Sequence, residues 1–147
     1  MATPELTAGQ LLKLTHAKIR RRTAGLQPGT QKDQVQGGGK FRTCIGRVSL
    51  YNPYSSGDSY VTAIRNYGTM TNPKEFSFAA DSRLWVHCSC PYFLFHLEMA
   101  LVLKKCSTQY DSNGDMPRIT NPQYRPYLCK HLFAYLLFLI KRDKSVL

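Results

Sequence analysis

Acidic residues are scarce in this chain: nine Asp and Glu stand against twenty Lys and Arg, a formal charge of +11 over 147 residues. An excess of that size favours an acidic partner, nucleic acid or a negatively charged protein surface, without choosing between them. Long apolar runs are missing too. The longest, residues 132–140, holds nine residues, where a bilayer span needs about 20, so no membrane partner is expected. The first residues lack the charged segment and continuous apolar stretch of a secretory signal, which makes a reducing compartment the expected setting. No internal repeat is found, and the length suits one domain rather than two independent enzymes. Apolar and aromatic residues, in contrast, make up 43% and 12% of the chain, too much for a disordered one.

The positive charge is concentrated at the front, where residues 1–50 carry +7 of the total. Thr7 and Gln10 have the spacing of a capping box, and Leu11, Leu14, Ala17 and Ile19 recur at helical intervals up to Arg22. That pattern predicts one short amphipathic helix. Residues 25–40 hold five glycines, a proline and only two apolar side chains larger than Ala, and read as a flexible connection. Residues 1–40 are therefore expected to form an extended basic N-terminal arm, with residues 41–147 as a zinc-binding core. In that core, residues 41–51, 60–67, 75–79 and 83–88 have strand-like composition or alternation. Residues 92–104 have helical periodicity after Pro91, residues 107–125 read as a long loop, and residues 130–141 form a strong helix. The sum is an α+β fold, a small antiparallel sheet with a C-terminal helix.

The informative residues are Cys88, Cys90, Cys129 and His131: a CxC, 38 intervening residues, then a CxH. Three thiols and an imidazole make the closed four-ligand set that structural Zn2+ prefers. Residues two apart on a strand share a face, so Cys88 and Cys90 can converge where Pro91 ends the pairing. Residues two apart on a helix diverge, so Cys129 and His131 can share a metal only if Cys129 lies at or just before the first turn. There the helix dipole also stabilises its thiolate. The competing readings are weaker. Free cysteines can pack as small hydrophobes, but that leaves the spacing without a reason. A disulfide framework does not suit an odd count of five cysteines. A Cys129–His131 hydrolase lacks a separate base and leaves two cysteines unexplained. Alternation points His87 away from Cys88, His96 reads as a packed or surface residue, Cys44 as a buried strand residue, and Cys106 as a substitute ligand at most. Gly39-Lys40 is not a P-loop, because Phe41 stands where a Ser or Thr is needed.

The segments Cys88-Ser89-Cys90-Pro91-Tyr92-Phe93 and Cys129-Lys130-His131-Leu132 resemble the SWIM zinc finger, a CxC and CxH pattern in a strand-strand-helix arrangement. The resemblance covers about residues 75–142. The spacer is longer than the family usually has and contains a helix of its own. In that long form, with PYFLFHLEMAL, SNGDMPRITNP and PYLCKHLFAYL, the chain resembles SWIM-like proteins encoded by tailed bacteriophages. The resemblance implies one structural zinc. It also implies a non-enzymatic virion protein, in the tail, baseplate or neck rather than the capsid shell, assembled in the host cytoplasm and without a small-molecule substrate. Its partners would be other virion proteins, met through the basic arm and the apolar C-terminal helix. The run LFAYLLFLI, apolar all round, must be buried on nearly every side or meet a neighbour. The alternative is a nucleic-acid-binding finger in which Lys18, Arg20, Arg21 and Arg22 neutralise phosphates. Those four cations also suit an ordinary solvated helix end.

Overall fold

The sheet is a four-stranded antiparallel meander with the strands in sequence order, β1 (Leu26–Gln36), β2 (Phe41–Leu50), β3 (Ser59–Thr69) and β4 (Ser82–Cys88), and apolar positions alternate in the last three. The structure is a computed structural model, and it describes residues 3–50, 59–69, 71–108 and 125–145. In register, Cys44 lies opposite Ile64, and Ile64 opposite Val86, so one face of β2, β3 and β4 is continuously apolar. Helix α4 (Lys130–Ser145) covers that face with Leu132, Tyr135, Leu136 and Leu139 fully buried. The approach is close at Gly46, where a Cβ would collide with the Gly29 carbonyl and stand 3.0 Å from the Tyr135 ring. Glycine there lets Tyr135 reach over β2, and its hydroxyl lies 3.1 Å from Thr30 Oγ1 on β1. On the opposite face the Arg65 guanidinium sits between the rings of Phe41 and Trp85, at 5.0 and 4.4 Å.

At its far end α4 is tied down by charge. Arg42 of β2 grips Asp33 of β1 with two hydrogen bonds, at 2.8 and 2.7 Å, and donates to Asp143 of α4 at 2.9 Å. Arg142 reaches Asp33 at 3.0 Å. The Arg42 hydrogen bond is the main reason that the Asp33 carboxyl lies below its ordinary range.

Several sequence expectations change here. Residues 26–36 are no flexible connection: β1 pairs with β2 from Leu26 to Gln36 through one bulge at Gln31. Most of its side chains are exposed, so backbone hydrogen bonds rather than apolar burial hold it. The expected division at residue 40 falls in the β1–β2 turn, and no extended basic arm is present among the described residues. Instead, residues 5–9 lie beside β4, with Leu84 N donating to Leu6 O at 3.3 Å and Gly9 N to Ala80 O at 2.8 Å. The single helix expected near residues 11–22 is two, α1 (Ala8–Leu14) and α2 (Ala17–Arg21). The capping box of Thr7 and Gln10 is present. At the break, Thr15 Oγ1 takes the Leu11 carbonyl and Arg20 takes those of Leu12 and Thr15.

Residues 75–79 do not form a strand. Side chains satisfy their backbone instead: Phe78 N donates to Asp143, Ala79 N to Ser82, and the Phe76 carbonyl accepts from Arg42 and Asn66. After Pro91 and Tyr92, a π-helical turn at Phe93–Leu97 leads into α3 (Glu98–Leu103). The expected long loop lies largely outside the described residues, as does Tyr51.

Two substitutions test this architecture. Gly46→Ala is expected to cost about 1–3 kcal/mol by forcing β1 or Tyr135 away, read by urea unfolding. Arg42→Ala is expected to cost on the order of 2 kcal/mol at pH 7, because it leaves Asp33 and Asp143 without their shared donor. A lowered folded-state carboxyl gives stability that is present above its unfolded value of about 3.9 and lost as pH falls through the folded one. The gap between wild type and Arg42→Ala should therefore narrow as the pH drops from about 5 to 3. Losses common to both chains cancel in that comparison.

Candidate metal centre

Cys88 is the last residue of β4, paired with Thr62 of β3. Ser89 extends the pairing by one residue, its N–H donating to Val61 O and its Oγ accepting from Val61 N, each at 3.0 Å. Pro91 has no N–H to continue a ladder and starts a helix instead. Cys90 thus becomes the helix cap: its carbonyl accepts from Leu94 N at 3.2 Å and its Sγ from Phe93 N at 3.4 Å. Its sulfur does for this helix what a serine oxygen does for most.

Cys129 holds the same position on α4, where its carbonyl accepts from Phe133 N at 2.9 Å. It lies just before the first turn, as the CxH spacing requires, and His131 follows inside the helix. Two contacts hold this start in place, the first of them to the helix that Cys90 caps. The hydroxyls of Tyr127 and Tyr92 lie 2.6 Å apart, and Leu128 N donates to Thr15 Oγ1 at 3.1 Å, anchoring the incoming strand of chain to the break between α1 and α2. The Tyr60 ring of β3 packs on His131 at 4.8 Å.

The three sulfurs and one imidazole nitrogen that result all lie within 4.8 Å of one another, and all four residues are buried. A tetrahedral shell with bonds of about 2.0–2.3 Å separates its ligand atoms by roughly 3.3–3.8 Å, so a contraction of about 1 Å at the widest pair closes it. The donor set fits a metal on a second ground: His131 Nδ1 is buried and has no hydrogen-bond partner, a costly state for a group that water does not reach. The four side chains are therefore close enough, and of the right type, to hold one metal ion.

Without a metal, the cluster concentrates negative charge on one of its three sulfurs, Cys90. Cys90 is drawn well below the ordinary thiol range by hydrogen bonding from Cys129 and Cys88, with the Phe93 N–H contributing. Burial pushes Cys129 far up, and Cys88 and Cys90 add to that. Cys88 is also raised, since its neighbour Cys90 and burial outweigh the lowering effect of Cys129. Two helix N-termini face the cluster, each carrying a partial positive charge, and they would offset the net negative charge of three thiolates if a dication were held there.

Compared with protein-family models, curated proteins and solved structures, the chain matches none.

The remaining candidates fall outside the cluster. His87 lies on the opposite face, stacked with Trp85 and edge-on to Phe93, with Nδ1 3.9 Å from the buried Glu98 carboxylate. His96 stacks on Tyr92. Cys106 is buried, lies 3.3 Å from Lys104 O and is not among the four clustered donors. Cys44 is buried under α4, its thiol pushed up to about 12 by burial and by Asp33. All five cysteines are free thiols. Lys18, Arg21 and Arg22 are exposed at α2, whereas Arg20 caps α1 and lies over the Phe133 ring at 5.7 Å. Thr15, Tyr60, Tyr92 and Tyr127 position the centre, yet no local pattern in the sequence marks them.

These contacts divide the cysteines. Single Ala substitutions of Cys88, Cys90 or Cys129 should each abolish stoichiometric metal binding, while Cys44→Ala and Cys106→Ala should retain it, as measured by elemental analysis of the purified chain. Thr15→Val should retain the metal but lose about 1–2 kcal/mol of stability, through the two hydrogen bonds that Oγ1 makes.

Proposed function

We propose that Cys88, Cys90, Cys129 and His131 hold one structural Zn2+, and that the chain is a non-enzymatic structural protein. The carrying observation is burial: the four donors complete a shell, and none is more than 6% exposed. A catalytic zinc keeps a position open for water or substrate, whereas a structural one is closed by four protein ligands. The metal would join the end of β4, the helix after Pro91 and the start of α4.

The CxC and CxH pattern supports a SWIM-like finger. The resemblance of its long-spacer form to phage-encoded proteins extends the proposal to a virion component of a tailed phage, and this last step rests on that resemblance alone. Contacts with neighbouring virion proteins would use the exposed Lys18, Arg21 and Arg22 of α2 and the exposed apolar side chains Phe95, Leu103 and Leu137. A free arm is no part of the proposal, because residues 26–36 form β1 and residues 5–9 lie against β4 and the turn before it. Among the described residues, no helix is long and apolar enough to cross a membrane. A second reading, nucleic-acid binding, is favoured by the same three cations, which lie on α2 and at its C-terminal end.

Zinc analysis should give one ion per chain, and chelation should unfold the protein cooperatively, since structural zinc contributes on the order of 10 kcal/mol in small peptides. Binding should weaken as the pH falls, because protons compete with the metal for the thiolates. A chain that stays folded and equally stable after complete removal of zinc contradicts the structural role. Mass spectrometry of purified particles should find the protein in the virion. Its absence there, together with DNA binding whose salt slope drops by about 0.9 for each of Lys18, Arg21 and Arg22 replaced by Ala, would establish the second reading instead.

A further inference from the structure

At the end of the sheet away from Cys88, three cations from three separate segments line one cavity of about 450 Å3. Lys40 comes from the β1–β2 turn, Lys74 from the turn after β3, and Arg83 from the start of β4. Thr3, Tyr67 and Thr69 complete the part of the wall that matters here, and no carboxylate lines it among the described residues.

Ordered backbone presents these cations. Gly37, Gly38 and Gly39 all have positive φ, and the N–H groups of Gly39 and Lys40 both donate to Gln36 O at 3.2 Å. On the other side, Gly68 has φ of +88°, and a Cβ there would overlap Pro73, so the turn folds back tightly on β3. Thr69 closes that turn by accepting from Asn72 N at 2.9 Å and donating to Asn72 O at 3.2 Å. Three basic side chains lining one cavity raise the positive potential there and so favour an anion.

We propose that this cavity binds a phosphoryl group. Lysine serves as a point-charge partner for phosphate, and arginine offers it a planar fork. The volume lies in the range of small-ligand sites, leaving room for what the phosphoryl group is attached to. The Tyr67 ring, backed by Phe41 at 5.0 Å, gives that remainder a flat wall. The phosphoryl group could belong to a nucleic-acid strand or to a free phosphate, and the chemistry of recognition is the same. The site is separate from the metal centre and stands whether or not the zinc reading holds.

The test uses the full-length, metal-loaded chain labelled with 15N. Inorganic phosphate, titrated against sodium chloride of matched ionic strength, should shift the amides of Gly39, Lys40, Lys74 and Arg83 saturably. The double variant Lys40→Glu with Lys74→Glu should lose that response and keep its metal. Should the charge reversal disturb folding, Lys40→Gln with Lys74→Gln replaces it. A single-stranded oligonucleotide then identifies the source. A salt slope reduced by about 0.7 for each lysine removed assigns the site to phosphodiesters. Equal oligonucleotide affinity in both chains, beside a lost phosphate response in the variant, assigns it to free phosphate. Shifts that merely follow the chloride control, or that persist unchanged in the variant, overturn the proposal.

Discussion

Two helix N-termini and one strand end converge on a single buried point, and the rest of the C-terminal half depends on what that point can tolerate. Three thiols and an imidazole packed within 4.8 Å, out of reach of water, form a poor apolar core and a good ligand set. Cys90 and Cys129 each cap a helix as well as supplying a sulfur. The same residues therefore fix where the helices begin and what the cluster is made of. Moving either helix by one residue would take a sulfur out of the cluster.

Helix α4 is consequently held at both ends by polar chemistry and in the middle by packing. Its start is fixed by the cluster and by the contacts of Tyr127 and Leu128. Its end is fixed by Arg42, Asp33, Arg142 and Asp143. Between them lies Tyr135, seated over Gly46. The all-round apolar look of this helix is met by burial on most sides, with Leu137 left 44% exposed. Asp143 also caps the backbone of residues 75–79, so the helix end organises a segment that has no strand partner.

The positive charge is distributed according to structural role. Arg20 is spent on the carbonyls at the break between α1 and α2, Arg42 on carboxylates of β1 and α4, and Arg65 is held between two rings. Lys18, Arg21 and Arg22 stand in water on α2, and Lys40, Lys74 and Arg83 gather at the far end of the sheet. Two separate basic surfaces thus arise, one from the basic front alone and one that joins Lys40 of that front to Lys74 and Arg83 from later in the chain.

What the sequence determined by itself was whatever depends on near neighbours. The Thr7–Gln10 capping box, the alternation in β2, β3 and β4, the helical period of α4 and the CxC and CxH spacing are all local, and each is where the pattern placed it. The resemblance to a finger family likewise rests on local spacing. Tertiary structure decided the rest. β1 has a loop's composition, because an edge strand held by backbone hydrogen bonds needs no apolar face. Residues 75–79 have a strand's composition but receive their hydrogen bonds from side chains far away in sequence, Asp143 above all. One helix became two because Thr15 and Arg20 bind the carbonyls that a continuous helix would have used. The basic cavity joins residues 40, 74 and 83, and no periodicity can register a contact between segments that meet only when the sheet closes.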